Sequence, residues 1–247
     1  MLSVVIITYN EERNIGRCLD SIKDIADDIV VVDSFSTDKT EEICIPYNVN
    51  FIKRSWEGYS LTKNFANKQA KYDWIFSIDA DEALSEELKH SIMQAKQIGN
   101  NQTYEICRLT NYCGHWIRHS GWYPDIKLRI FDRGTSDWQG EVHEKIETKT
   151  TPVLLAGDLL HYSYYSIDDH IKQINKFTDL AAKQAFKNGK KSTIFKIIFS
   201  PIIKFNRDYF FNLGFLDGYA GFQVCALSSF ASYLKYAKLR EHQKKNK

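Results

Sequence analysis

The sequence predicts an α/β protein built on a doubly wound sheet, with a helical, basic and aromatic C-terminal extension. Three observations carry this. Strand-like and helix-like patterns alternate through the first hundred residues, which implies right-handed βαβ crossovers and parallel strands. Polar clusters stand at the carboxyl ends of the predicted strands, where such sheets bind ligands. After residue 187 the chain becomes rich in Phe, Ile, Tyr and Lys.

LSVVIIT (2–8) is a β-branched run of strand length, and it reads as a first strand, not a signal peptide. Ile15, Cys18, Leu19 and Ile22 then follow the spacing of one helix face. Asn10 is the expected N-cap, with Glu11 and Glu12 in the first turn beside the helix dipole. Strands follow at 28–34, 49–54 and 73–81. Helices are expected at 60–70 and 85–98, the second closed by Gly99. Residues 101–165 change to short strands and are expected to complete one domain, 1–165, in which the 1–100 half would bind a nucleotide and the 101–165 half a second substrate. A helix over 166–188 is capped by Ser166. Its apolar stripe is expected to be Ile167, Ile171, Ile174, Phe177 and Leu180.

Thr8–Tyr9–Asn10, Asp33 and Asp79–Ala80–Asp81 all end strands, so topology should bring them to one crevice. Asp79 and Asp81 suit a hard divalent cation shared with a phosphate group; otherwise they are cap and turn residues before the next helix. Converging carboxylates with no cation would repel one another. Asp33 either turns the chain or accepts hydrogen bonds from a nucleobase or ribose, with Thr8, Tyr9, Asn10 and Glu11 nearby. Lys63 either neutralises phosphate or is a solvated helix lysine. Net charge is +2, from 33 Lys and Arg against 31 Asp and Glu, so nothing global points to nucleic acid. Five cysteines at irregular spacing argue for a reducing compartment, and the expected location is the cytoplasm.

Three segments, VVIITYNEERNIGRCLDSI, DIVVVDSFSTDKTEEIC and WIFSIDADEAL, resemble in order and spacing the N-terminal half of family 2 glycosyltransferases. WYPDIKLRIFDR, GEVHEKIE and HYSYYSIDDHIKQINKFT extend the similarity toward bacterial lipopolysaccharide core β-glucosyltransferases. The resemblance implies a GT-A-type mixed sheet. It also implies inverting transfer from a nucleoside-diphosphate sugar, with uridine the favoured base, to a glycan or glycolipid acceptor. Asp33 would then bind the base. Asp79 and Asp81 would hold the ribose and the metal–diphosphate, with Mn²⁺ or Mg²⁺ as cofactor. The family's VDDGSTD is VDSFSTD here, so one acid and one glycine are missing.

Inversion needs a general base. The matching place is Glu144, with Glu141 and then Asp125 behind it. His143 would orient that base or touch phosphate. Arg129 would stabilise charge on the leaving diphosphate. The helical C-terminal region, 166–247, carries a basic aromatic tail from Lys187 to Tyr236 that either packs on the catalytic domain or in a dimer interface, or lies on the cytoplasmic face of a membrane as an interfacial segment.

Overall fold

The structure is a computed structural model that describes residues 1–99, 102–140 and 145–245. The first strands and helices alternate as β1 (Ser3–Thr8), α1 (Ile15–Ile22), β2 (Asp28–Asp33), α2 (Thr40–Cys44), β3 (Asn50–Lys53), α3 (Tyr59–Gln69) and β4 (Trp74–Asp79). Then come β5 (Glu82–Leu84), α4 (Glu86–Ile98), β6 (Tyr104–Tyr112), β7 (His115–Ile117) and β8 (Asp125–Asp132). β9 (Ser136–Gln139) and β10 (Lys145–Thr148) form a separate ribbon before the long β11 (Val153–Tyr164). Three helices close the chain: α5 (Ile167–Lys187), α6 (Ile194–Asn206) and α7 (Gly218–Lys245).

The main sheet has the order β3-β2-β1-β4-β8-β6-β11-β5, with β7 beside β6. β3, β2, β1 and β4 are parallel, whereas β8 joins β4 antiparallel. The expected doubly wound mixed sheet with a helical C-terminal region is therefore present.

The chain divides into two compact units, Met1–Arg108 with Asp125–Tyr162, and Leu109–Pro124 with Ser163–Lys247. In the first unit the strands bury continuous apolar runs: Val4, Val5, Ile6, Val30, Val31, Val32, Phe76 and Ile78 are all at most 1% exposed. Such runs are what a sheet covered on both faces requires. α1 closes one face with Ile15, Cys18, Leu19 and Ile22. Gly157 in β11 has φ +91°, and a Cβ there would lie 2.3 Å from the Leu88 backbone nitrogen. Glycine is thus required both by conformation and by the approach of α4.

In the second unit, Tyr112, Ile117, Ala220 and Val224 make a small core. Tyr112, Trp122, Tyr164 and His170 pack ring against ring in it. Burial pushes the His170 imidazole down to about 4. Among the described residues no helix is long and apolar enough to cross a membrane.

Two expectations need correction. Asn10 does not cap the first helix: α1 begins at Ile15 after Asn14. Asn10 instead has φ +54°, a left-handed turn that asparagine tolerates. It is tied to the next loop, so Glu11 and Glu12 precede the helix. On α5, Ser166 does accept from the Asp169 amide, but the buried face is His170, Ile174, Thr178, Ala182 and Ala185. Ile167, Ile171, Phe177 and Leu180 point outward.

Candidate active site

Register alone places the polar strand ends together. β1 pairs Thr8 with Asp33 on one side and Ile7 with Asp79 on the other. Parallel strands end on the same edge, so three loops leave the sheet there.

The loops after β1 and β2 are fastened by reciprocal side chain to backbone bonds. The Asn10 amide donates to Ser36 Oγ, and Asn10 Oδ1 accepts from the Thr37 amide at 2.8 Å. The Glu12 amide donates to Asp38, while Glu12 accepts from the Lys39 amide. Asp33 is fully buried and accepts from the Ser36 amide (2.8 Å) and from Ser36 Oγ. Its carboxylate therefore builds the turn itself. Tyr9 (57% exposed) and Phe35 stand out from this pair of loops. Thr8 Oγ1 is buried with no hydrogen-bond partner in the protein, and such an atom is normally satisfied.

The acids of β4 and β5 divide into three environments. Asp79 sits between two cations, Lys63 Nζ at 2.9 Å and Arg129 Nη2 at 2.8 Å. Burial alone would raise its carboxyl, but the charges of Arg129 and Lys63 outweigh that and hold it well below the ordinary carboxylate range. Lys63 is no solvated helix lysine: it is 3% exposed and lies 4.3 Å from the Trp138 ring centroid. Glu82 is buried, accepts from Arg129 Nη2 at 2.6 Å and from the Asp79 amide at 3.0 Å, and lies 3.6 Å from Arg108. Burial is the main cause that raises its carboxyl, with the Asp79 charge adding and Arg129 opposing. Ala80, 4% exposed, spaces the two aspartates.

Asp81 is different. Its Oδ2 lies 3.2 Å from His161 Nε2, and its backbone carbonyl accepts from the Tyr162 amide. The β11–β5 register pairs His161 with Glu82, which brings the imidazole to the neighbouring aspartate. Glu11 also feels this cluster. Burial, with the charges of Asp81, Asp38 and Asp79 adding and a hydrogen bond from Asn14 opposing, pushes it up to about 7.

A divalent cation can be tested against these donors. Hard ions take carboxylate oxygens, and manganese also accepts imidazole. Asp81 and His161 fit as adjacent ligands. Asp79 has both oxygens engaged by cations, so Lys63 and Arg129 already supply the charge balance that converging carboxylates need. Among the described residues no group of three His, Cys, Asp or Glu could hold a metal. Among the described residues the donors are then these two, Asp81 and His161, which suits an ion completed by phosphate and water.

Asp125 opens β8 and is held by Arg108 (2.7 Å) and Lys127 (2.8 Å). Burial works to raise its carboxyl, yet Lys127 and Arg108 together keep it below the ordinary value. A carboxylate so paired is a poor proton acceptor. Glu141, His143 and Glu144 lie outside the described residues.

Arg108 belongs to this cluster although nothing in the sequence marks it, because a strand pairing distant in sequence brings it in. Glu82 has a signal, since it directly follows Asp81, and His161 is a lone histidine that the sequence leaves open between a packed and a site role.

The family model described as "Glycosyl transferase family 2" matches residues 3–148. The lipopolysaccharide core biosynthesis glycosyltransferase LpsC of Rhizobium meliloti (strain 1021) is 32% identical, over 96% of this chain and 91% of its own. The glycosyltransferase RT0209 of Rickettsia typhi is 31% identical, over 97% of this chain and 87% of its own. The crystal structure of S. aureus TarS aligns with a TM-score of 0.42 at 15% identity, over 87% of this chain and 45% of that one.

Proposed function

This chain belongs to glycosyl transferase family 2, and we propose on that premise an inverting, metal-dependent transfer. A hexose moves from a nucleoside-diphosphate sugar, with uridine as the base, to a hydroxyl of a lipopolysaccharide core acceptor at the cytoplasmic face of the membrane. The acceptor class follows the relative LpsC, whose name carries it. The observation that supports the donor most is the Asp81–His161 pair at 3.2 Å, at the edge where Thr8, Asp33 and Asp79 end their strands.

In this reading Asp81 and His161 hold the cation, which when bound offsets charge on the diphosphate. Asp79 accepts from a ribose hydroxyl, kept ionised and fixed in direction by Lys63 and Arg129. A group locked by its neighbours costs little reorganisation when substrate binds. The loops of Asn10 and Asp33 wall the nucleobase, with Tyr9 exposed to pack on a ring and Thr8 Oγ1 a polar group still to be satisfied.

The reaction forms one bond and breaks one. The acceptor oxygen attacks the anomeric carbon from the face opposite the diphosphate. The carbon–oxygen bond to the diphosphate breaks, and its electron pair leaves with that oxygen. Glu144 takes the hydroxyl proton. Its place in GEVHEKIE supports it, with Glu141 as the runner-up, and the cations around Asp125 weigh against that third candidate.

The test is a thermal-shift screen of nucleotide sugars with Mn²⁺, since a bound donor stabilises the fold by mass action. We expect stabilisation by a UDP-sugar that requires the metal and is lost in Asp81→Asn. Equal stabilisation without metal would overturn the role of Asp81. Glu144→Gln should keep the thermal shift and lose transfer by about 10²–10⁴-fold; retained turnover would move the base elsewhere.

A further inference from the structure

α6 has no buried residue, yet its outward face is apolar. Ile194, Phe195, Ile198, Phe199, Ile202 and Ile203 are 41–66% exposed. They recur in steps of four, so they form two adjacent rows on one helix face. The other side packs on α7: the Phe205 and Phe222 rings meet at 6.0 Å, and Ser229 Oγ donates to the Pro201 carbonyl. A helix on a water-facing surface normally shows the reverse arrangement. Beyond the helix in the chain, Phe210, Phe211 (81% exposed), Leu216 and Tyr219 are also exposed.

The exposed charge of this segment has one sign. Between residues 187 and 240 the only acids are Asp208 and Asp217, and both are turned inward. Asp208 is 1% exposed and takes Lys204 and Arg207. Asp217 accepts from the Arg118 and His119 amides and faces His119 Nδ1. Lys190, Lys191, Lys196 and Arg207 therefore flank the apolar rows with no exposed carboxylate between them.

We propose that this face docks on an anionic phospholipid bilayer. α6 lies in the interfacial plane, its Phe and Ile side chains reach the acyl boundary, and the flanking lysines meet the headgroups. Thirteen residues make a helix about 20 Å long, too short for a hydrocarbon core of about 30 Å but suited to lying flat. A second copy of the chain fits less well, because it would bring like charge against like charge.

Docking is separate from transfer chemistry, so each can fail alone. The experiment is flotation of the full chain, without donor or acceptor, on vesicles of phosphatidylcholine with or without phosphatidylglycerol. Wild type should float only with the anionic vesicles and be released by salt. Phe195→Ser/Phe199→Ser/Ile203→Ser should stay at the bottom of the gradient with an unchanged melting temperature. Lys190→Glu/Lys191→Glu/Lys196→Glu should lower the partition coefficient by about a hundredfold or more. No flotation of wild type, equal flotation on neutral vesicles, or variants that bind like wild type would each overturn the proposal. So would a wild-type dimer, seen by light scattering, that the triple serine variant dissolves and that no vesicle displaces.

Discussion

α4 and α6 are both thirteen residues long. Each starts from a hydroxyl cap: Ser85 Oγ accepts from the Leu88 amide and Thr193 Oγ1 from the Lys196 amide. There the likeness ends. α4 buries Leu88, Ile92 and Ala95 and leaves its charges outside, while α6 buries nothing and leaves Ile and Phe outside. Local chemistry makes both helices. What covers their apolar faces differs: the sheet covers one, and α6 keeps its apolar rows exposed. The same contrast holds for charge. Around β4 and β5 the ions Asp79, Glu82 and Arg129 are hidden in pairs, whereas around α6 lysines stand exposed beside apolar side chains.

The largest effect should come from breaking the hidden ions. Arg129→Met would leave Glu82 and Asp79 facing one another with one cation fewer. Removing one partner of a buried pair costs about 3–5 kcal/mol, and urea denaturation should show a loss of that order. Leu88→Ala comes next: Leu88 is 0% exposed, and such truncations cost about 2–5 kcal/mol. A small loss at either site would mean that the first unit is less inward-looking than its burial suggests.

Glu11 sharpens the comparison through pH. Its carboxyl rises from 4.5 to about 7 on folding. Between these values the folded state binds the extra proton, so stability falls as pH rises through this window and is undiminished below it. Glu11→Gln keeps an oxygen for the Asn14 amide. It should melt higher than wild type above pH 7 and equally near pH 4.5. Equal melting at both pH values would show that Glu11 is not strained by its neighbours.

Much of this contrast was legible in the sequence, and the rest had physical reasons to be hidden. β1 and β2 are uninterrupted apolar runs and β4 is broken only by Ser77, and parallel strands must end at one edge, so the meeting of Thr8, Asp33 and Asp79 followed from pattern alone. The partners of the acids did not. Lys63 comes from a helix, Arg129 from an antiparallel strand, and His161 reaches Asp81 by pairing across about eighty residues. Periodicity found α5 but placed only Ile174 of its stripe correctly. Ile167, Ile171, Phe177 and Leu180 are outside, while His170, Thr178 and small alanines join Ile174 inside. A stripe says that something apolar must cover it and leaves open what does.

The smallest expected effect tests that point directly. Ile202 is 52% exposed on α6. If its face has no partner within the chain, Ile202→Ser removes no intramolecular packing. Surface substitutions away from special features stay within about 0.5 kcal/mol. The equivalent change at Ile92 of α4, 0% exposed, would leave a cavity and bury a hydroxyl, at a cost of several kcal/mol on the order of core truncations. Urea denaturation of the two serine variants side by side reads the difference. A large loss for Ile202→Ser would mean that α6 is covered by its own chain after all, and the outward-facing half of the comparison would fall.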